Sequence, residues 1–214
     1  MLICQNPTRL ATRVRSVYAE AGIPVTAGDL ALCAAWAALA VDVAVRRPRA
    51  PRNRVVASAP HPGALARAII LGGTLAAVAG LEWMRPPSST PGWLTGAGVA
   101  LVSAGLALHV AARRALGPWW DSVATVREDH SVIARGPYAI VRHPLYLAIL
   151  LMAAGTVLAH PSVAAGAAAG GLALGTVLKI RAEEALLRRV LGEPYVRYAR
   201  TVPALLPWLR RGRP

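Results

Sequence analysis

Apolar residues in this chain gather into long runs and do not alternate with polar ones, and few charges interrupt the runs. A bilayer core of about 30 Å takes roughly 20 apolar residues in a helix. Five windows read as such spans: residues 25–45, 65–84, 93–112, 145–159 and 162–180. Pro, Gly or Arg bounds each of the first three. The last two are joined only by His160 and Pro161, which predicts a tight helical hairpin. The expected architecture is all-α, an integral membrane bundle of about five transmembrane helices. Residues 1–112 form a three-span region and residues 113–214 a more polar unit built around the hairpin. Gly166, Gly170, Gly171 and Gly175 place small residues four apart in the last span, a pattern that predicts close packing against the fourth helix.

Composition changes this picture in two ways. With 55% hydrophobic and 16% charged residues, neither a disordered chain nor an ordinary water-soluble globule fits. The 24 basic residues against 10 acidic ones, a formal charge of +14, would by themselves suggest a nucleic-acid binder. Their position argues for lipid. Arg46, Arg47, Arg49, Arg52 and Arg54 follow the first span directly, where anionic headgroups would meet them. The expected partners are therefore the bilayer and a lipophilic small molecule or lipid, with no nucleic acid. Basic residues concentrate at 46–54, at 113–142 and after Lys179, so the positive-inside rule puts these segments on the cytoplasmic side of the cell membrane. The N-terminus then falls outside, with the first span as the insertion signal and no cleavable leader. Cys4 and Cys33 have no metal-ligand spacing, and neither a metal site nor a disulfide framework is expected.

Polar chemistry concentrates in two stretches. The first contains Leu116, Gly117 and Trp119, then an alternating segment around Val123 and Val126 that predicts a short hairpin with Val132 and Ile133. It continues through Gly136, Pro137 and Tyr138 to Arg142, His143, Pro144 and Tyr146 at the start of the fourth span. Pro144 suits a first helical turn, where its missing N–H costs little, and Arg142 and His143 then stand at the membrane mouth. The plain alternative has Arg142 reaching to headgroups and His143 capping the helix. The second stretch runs Lys179, Arg181, Glu183, Glu184 and Arg188, then Gly192, Tyr195 and Tyr198. Adjacent carboxylates on a helix point about 100° apart, so one can face a pocket while the other pairs with Arg188 at i+4. His109, near the end of the third span, is an ionisable group at membrane depth and so a functional candidate, with burial as a neutral histidine the alternative. Asp29 and Asp42, near span ends, are expected to reach water.

In this order and spacing, the two clusters resemble the isoprenylcysteine carboxyl methyltransferase family and its phospholipid methyltransferase relatives, over roughly residues 113–208. The resemblance implies S-adenosyl-L-methionine bound at the cytoplasmic ends of the last two helices, in a pocket closed by the C-terminal segment, and a lipophilic acceptor entering from the bilayer. It assigns cofactor binding to Gly136, Pro137, Tyr138, Arg142, His143, Pro144, Tyr146, Glu183, Glu184, Tyr195 and Tyr198. It gives Lys179 or Arg181 a basic position near the reacting centre, and Arg181, Glu184 and His109 are the candidate catalytic residues. Ala148 stands where the family usually has Gly, a change expected at the pocket wall. Lys179 is the single lysine among the basic residues, an arginine bias typical of GC-rich bacterial genomes. The acceptor, its reacting atom and the oligomeric state stay open. Sterol-reductase-type proteins resemble the same module, which leaves an NADPH-dependent reductase as one alternative and a non-enzymatic membrane accessory protein as another.

Overall fold

The computed structural model describes residues 26–45, 55–58, 90–117, 125–127 and 132–207. Helices dominate them. In chain order they are α1 (Ala27–Val45), α2 (Gly92–Leu116), α3 (Pro144–Ala159), α4 (Val163–Leu191) and α5 (Glu193–Thr201), with a 3-10 turn at Gly136–Ala139. Four of the five expected spans coincide with α1 to α4, and the expected span at 65–84 lies outside the described residues. Among these, α2 is long and apolar enough to cross a membrane, and α3 is a shorter apolar helix. The expected boundary between residues 112 and 113 falls within α2.

The centre of the fold is an antiparallel crossing of α2 and α3 in backbone contact. A methyl group built on Gly98 would lie 2.5 Å from the Gly155 carbonyl oxygen, and one on Gly105 would lie 2.7 Å from that of Ala148. No side chain fits in either gap, so glycine sets the interhelical distance. The four glycines of α4 do something else: a methyl on any of them would meet nothing within 4 Å among the described residues. Close approach thus comes from Gly98, Gly105 and Gly155, and the predicted small-residue contact of α4 is not made among the described residues. Ala148 is fully buried and sits at this crossing beside Gly105, so its extra methyl bears on helix packing. α1 lies across the pair, with Leu32, Trp36 and Leu39 joining Val102, Met152 and Ala159 in one core cluster.

α3 and α4 form the predicted hairpin. Ser162 caps α4 by accepting a hydrogen bond from the Ala165 N–H at 3.1 Å, which fixes the entry of a helix that has just left a three-residue connection. At the other end, Gly192 has φ 59° and ψ −137°, a conformation open in practice only to glycine. That residue ends α4 and turns the chain into α5, whose Pro194 suits a first turn. The segment after α5 returns to the start of α3, where the Arg142 and His143 N–H groups donate to Pro203 and Ala204 carbonyls at 2.8 and 3.0 Å.

A short strand does form near Val126, as the alternation predicts, but its partner differs. β2 (Thr125–Arg127) pairs antiparallel with β1 (Val55–Ser58), in a register that shifts between Val55 and Ala57. Val132 and Ile133 are irregular. Local alternation marks a strand without naming its partner, and here the partner is the stretch Val55–Ser58 that follows the basic residues 46–54 in sequence.

Candidate functional site

Arg142 and Glu184 tie together four separate pieces of chain: the residues before α3, the C-terminal half of α4, the end of α5 and the tail. Arg142 directs Nε and Nη2 to Glu184 Oε1 at 2.9 and 2.6 Å. Its Nη1 donates to the Ala199 carbonyl at 2.8 Å and to that of Val202, oxygens left without helical partners where α5 ends. One planar guanidinium thereby ties α4 to the tail, a task for which its fixed fork suits it and a lysine would not. His143 Nε2 lies 3.2 Å from the same Glu184 oxygen, and Arg188 Nη2 donates to Oε2 at 3.0 Å. His143 occupies the N-cap position of α3 without capping it; its side chain goes to Glu184 instead.

Burial raises the Glu184 pKa, but the hydrogen bonds from His143 and Arg142, with the positive charge of Arg142, outweigh that and hold it at about 2. Glu184 is therefore an anion whose two oxygens are both engaged. Its neighbour differs. Glu183 Oε2 accepts from the Tyr146 hydroxyl at 2.7 Å, and the Lys179 ammonium lies 5.5 Å from the Tyr146 ring centroid. His143 stacks on the same ring at 5.6 Å and 28°. Glu183, Tyr146, Lys179 and His143 thus form a second group beside the first.

The remaining tyrosines make a protonated wall. Tyr198 donates to the Tyr138 carbonyl at 2.6 Å, joining α5 to the 3-10 turn, and burial pushes its phenol up to about 12. Burial and then the charge of Glu184 raise Tyr195; burial and then Glu183 raise Tyr138. Tyr195 is buried, its ring 6.1 Å from that of Tyr198, and its hydroxyl has no partner among the described residues. Gly136 opens the turn with φ 57°, followed by Pro137, and Pro144 begins α3.

The structure brings Tyr138, Arg142, His143, Tyr146, Glu183, Glu184, Tyr195 and Tyr198 together. Two of the candidate catalytic residues stand apart from them. Arg181 is exposed on α4. His109 is buried on the side of α2 that meets α1, with Nε2 3.2 Å from Asp42 Oδ2, and Arg113 also bonds the Asp42 carboxylate and carbonyl. Asp42, expected to reach water, is thus a structural partner, and so is Asp29, 3.0 Å from His160. Their common signal is spacing: Asp29, Leu32, Trp36, Leu39 and Asp42 occupy one helical face.

These residues are convergent donors and acceptors suited to a small zwitterionic cation. A carboxylate and aromatic faces favour a positive centre, and an orphaned buried hydroxyl calls for a partner that the described residues do not supply. Residues 98–189 match the model of the isoprenylcysteine carboxyl methyltransferase (ICMT) family. Protein-S-isoprenylcysteine O-methyltransferase B of Arabidopsis thaliana is 30% identical over 127 residues, covering 55% of this chain and 61% of the plant protein. A solved eukaryotic intramembrane Ras methyltransferase ICMT, determined without a monobody, shares the fold with TM-score 0.54 at 20% identity, over 70% of this chain and 55% of its own. The chain therefore spans about three fifths or less of the relatives it matches.

Proposed function

We propose, from the match of residues 98–189 to the model of the isoprenylcysteine carboxyl methyltransferase family, that the chain is an integral membrane S-adenosyl-L-methionine-dependent methyltransferase acting on a lipophilic acceptor. One observation carries the reading: Glu183 and Glu184 do different work. Glu184 is the buckle that draws α3, α4 and the tail together through Arg142 and His143. Glu183, held by Tyr146 at the edge of that knot, is the carboxylate for the cofactor's ammonium group. The Tyr195 hydroxyl is a donor toward the cofactor's polar part. The turn at Gly136–Ala139 and the tail around Val202 close the site on its cytoplasmic side.

When bound, S-adenosylmethionine supplies a methyl carbon that its sulfonium has already made electrophilic. The protein's task is then to orient an acceptor in line and to keep water out, which apolar α3 and the tyrosine wall favour. A carboxylate acceptor needs no base, whereas a thiol or hydroxyl needs one. Both histidines meet carboxylates through Nε2, His143 with Glu184 and His109 with Asp42, a pairing that would also support a histidine base; the carboxyl acceptor is the one that needs none. Lys179, whose ammonium lies by the Tyr146 ring, would orient its charge. A dinucleotide's phosphates would need free converging cations, but Arg142 and Arg188 both bind Glu184; the reductase reading is not favoured.

Methyl transfer from labelled S-adenosylmethionine to lipophilic carboxylic acids in detergent or vesicles tests this. A carboxyl acceptor gives alkali-labile label released as methanol. Label that survives alkali would move the reading to a hydroxyl, thiol or nitrogen acceptor, and no transfer to any class would count against a methyltransferase.

A further inference from the structure

The helix that precedes the matched segment is seated on it by three polar rungs. At one end Asp29 meets His160 at 3.0 Å. In the middle the Trp36 indole N–H donates to Thr156 Oγ1 at 3.0 Å. At the other end Asp42 binds both His109 and Arg113. Leu32 and Leu39, 4% and 3% exposed, fill the intervals, so polar and apolar contacts alternate along one face of α1. The Asp42 rung differs from the others in what lies beyond it.

Arg113 belongs to the last turn of α2. Two residues on, the Ala115 carbonyl accepts from Arg135 Nε at 3.2 Å, and Gly136 packs so near Ala115 that a methyl on it would stand 3.4 Å from the Ala115 Cβ. Gly136 opens the turn that presents the Tyr138 carbonyl to Tyr198 and leads to Arg142 and its fork on Glu184. A continuous path of contacts therefore runs from Asp42 through the end of α2 and the 3-10 turn to the knot at Glu184. Arg113 is only 9% exposed; without the Asp42 carboxylate its charge would lose this counter-ion and would be drawn toward the headgroups, carrying the end of α2 with it.

We propose that Asp42 is a positioning residue for the cofactor site, acting through Arg113 and the end of α2 to hold the Gly136–Ala139 turn against α5. This rests on the methyltransferase reading only for what the site binds. The control lies on the same helix. Asp29 makes a similar carboxylate–histidine rung at the far end of α1, so Asp29→Asn loosens α1 without reaching the turn.

The experiment compares Asp42→Asn, Asp29→Asn and Arg113→Gln with the wild-type chain in detergent, by hydrogen exchange and by calorimetric titration with S-adenosylhomocysteine. Asp42→Asn and Arg113→Gln should speed exchange at Arg142 and His143, whose N–H groups bond the tail, and weaken S-adenosylhomocysteine binding about tenfold, the loss of ~1.4 kcal/mol. Asp29→Asn should lower the melting temperature yet leave both readouts within about twofold of wild type. Equal effects of the two aspartate variants on Arg142 and His143, or wild-type exchange there in Asp42→Asn and Arg113→Gln, would overturn the proposal. Exchange decides it even where the wild-type chain binds no S-adenosylhomocysteine, a result that would instead count against the functional reading.

Discussion

Arg142 and Glu184, 42 positions apart, meet through two donors on one carboxylate oxygen, Nε at 2.9 Å and Nη2 at 2.6 Å, while the third guanidinium nitrogen holds the carbonyls that end α5. Both side chains are largely buried, 11% and 12% exposed. Removing one member leaves the other charged and poorly solvated, the costly way to break such a pair.

Arg142→Ala should accordingly destabilise the protein by about 3–5 kcal/mol, seen as a lower melting temperature in detergent. Arg142→Lys should recover little, because one ammonium cannot span Glu184 and the α5 carbonyls together. Full recovery by lysine would mean that charge alone matters and that the fork does not.

The depressed Glu184 pKa sets a pH dependence with a definite sign. Its folded value of about 2 lies below the ordinary carboxylate value of 4.5, so its contribution is fully present above about pH 4.5 and is lost as pH falls through about 2. The size is roughly 3 kcal/mol. Melting temperatures of wild type and Glu184→Gln across this range should differ most near neutrality and converge in acid. A gap that stays constant down to pH 2 would contradict the assignment.

Glycine positions make a paired prediction. Gly98→Ala or Gly155→Ala forces a methyl into backbone atoms of the facing helix and should cost about 1–3 kcal/mol. Gly170→Ala, where a methyl meets nothing within 4 Å among the described residues, should be neutral or stabilising by up to ~1 kcal/mol through helix propensity. Thermal unfolding of the three variants checks the order, and a large loss at Gly170 would reverse it.

Tyr198→Phe removes one hydrogen bond to the Tyr138 carbonyl and should cost about 1 kcal/mol. It should also weaken S-adenosylhomocysteine binding several-fold, since that bond fixes the turn to α5. Isothermal titration of the variant measures this, and unchanged affinity would remove the bond from the site.

Much of this was legible beforehand because it depends on local pattern. Long apolar runs marked α1 to α4, Pro144 marked the start of α3, and Glu184 with Arg188 at i+4 forms the pair that helical spacing suggests. The resemblance to the family whose model matches residues 98–189 was also carried by two ordered clusters. What sequence withheld was the choice of partner. Asp42 resembles any carboxylate near a span end, and only the packing of α1 on α2 brings it to Arg113 and His109. The glycines of α4 carry a stronger packing pattern than Gly98 and Gly105, yet contact depends on which helix lies opposite. Nor does anything local to Val126 name Ala57 as its strand partner.

The central claim is that the group beside the Arg142–Glu184 knot binds an adenosyl cofactor through Glu183. Calorimetric titration of the detergent-purified protein and of Glu183→Ala, each with S-adenosylhomocysteine and with NADPH, tests it most directly. The account predicts binding of S-adenosylhomocysteine alone by wild type, weakened at least about tenfold in Glu183→Ala with the melting temperature little changed. Binding of NADPH in its place, or adenosyl binding that survives loss of the Glu183 carboxylate, would contradict it.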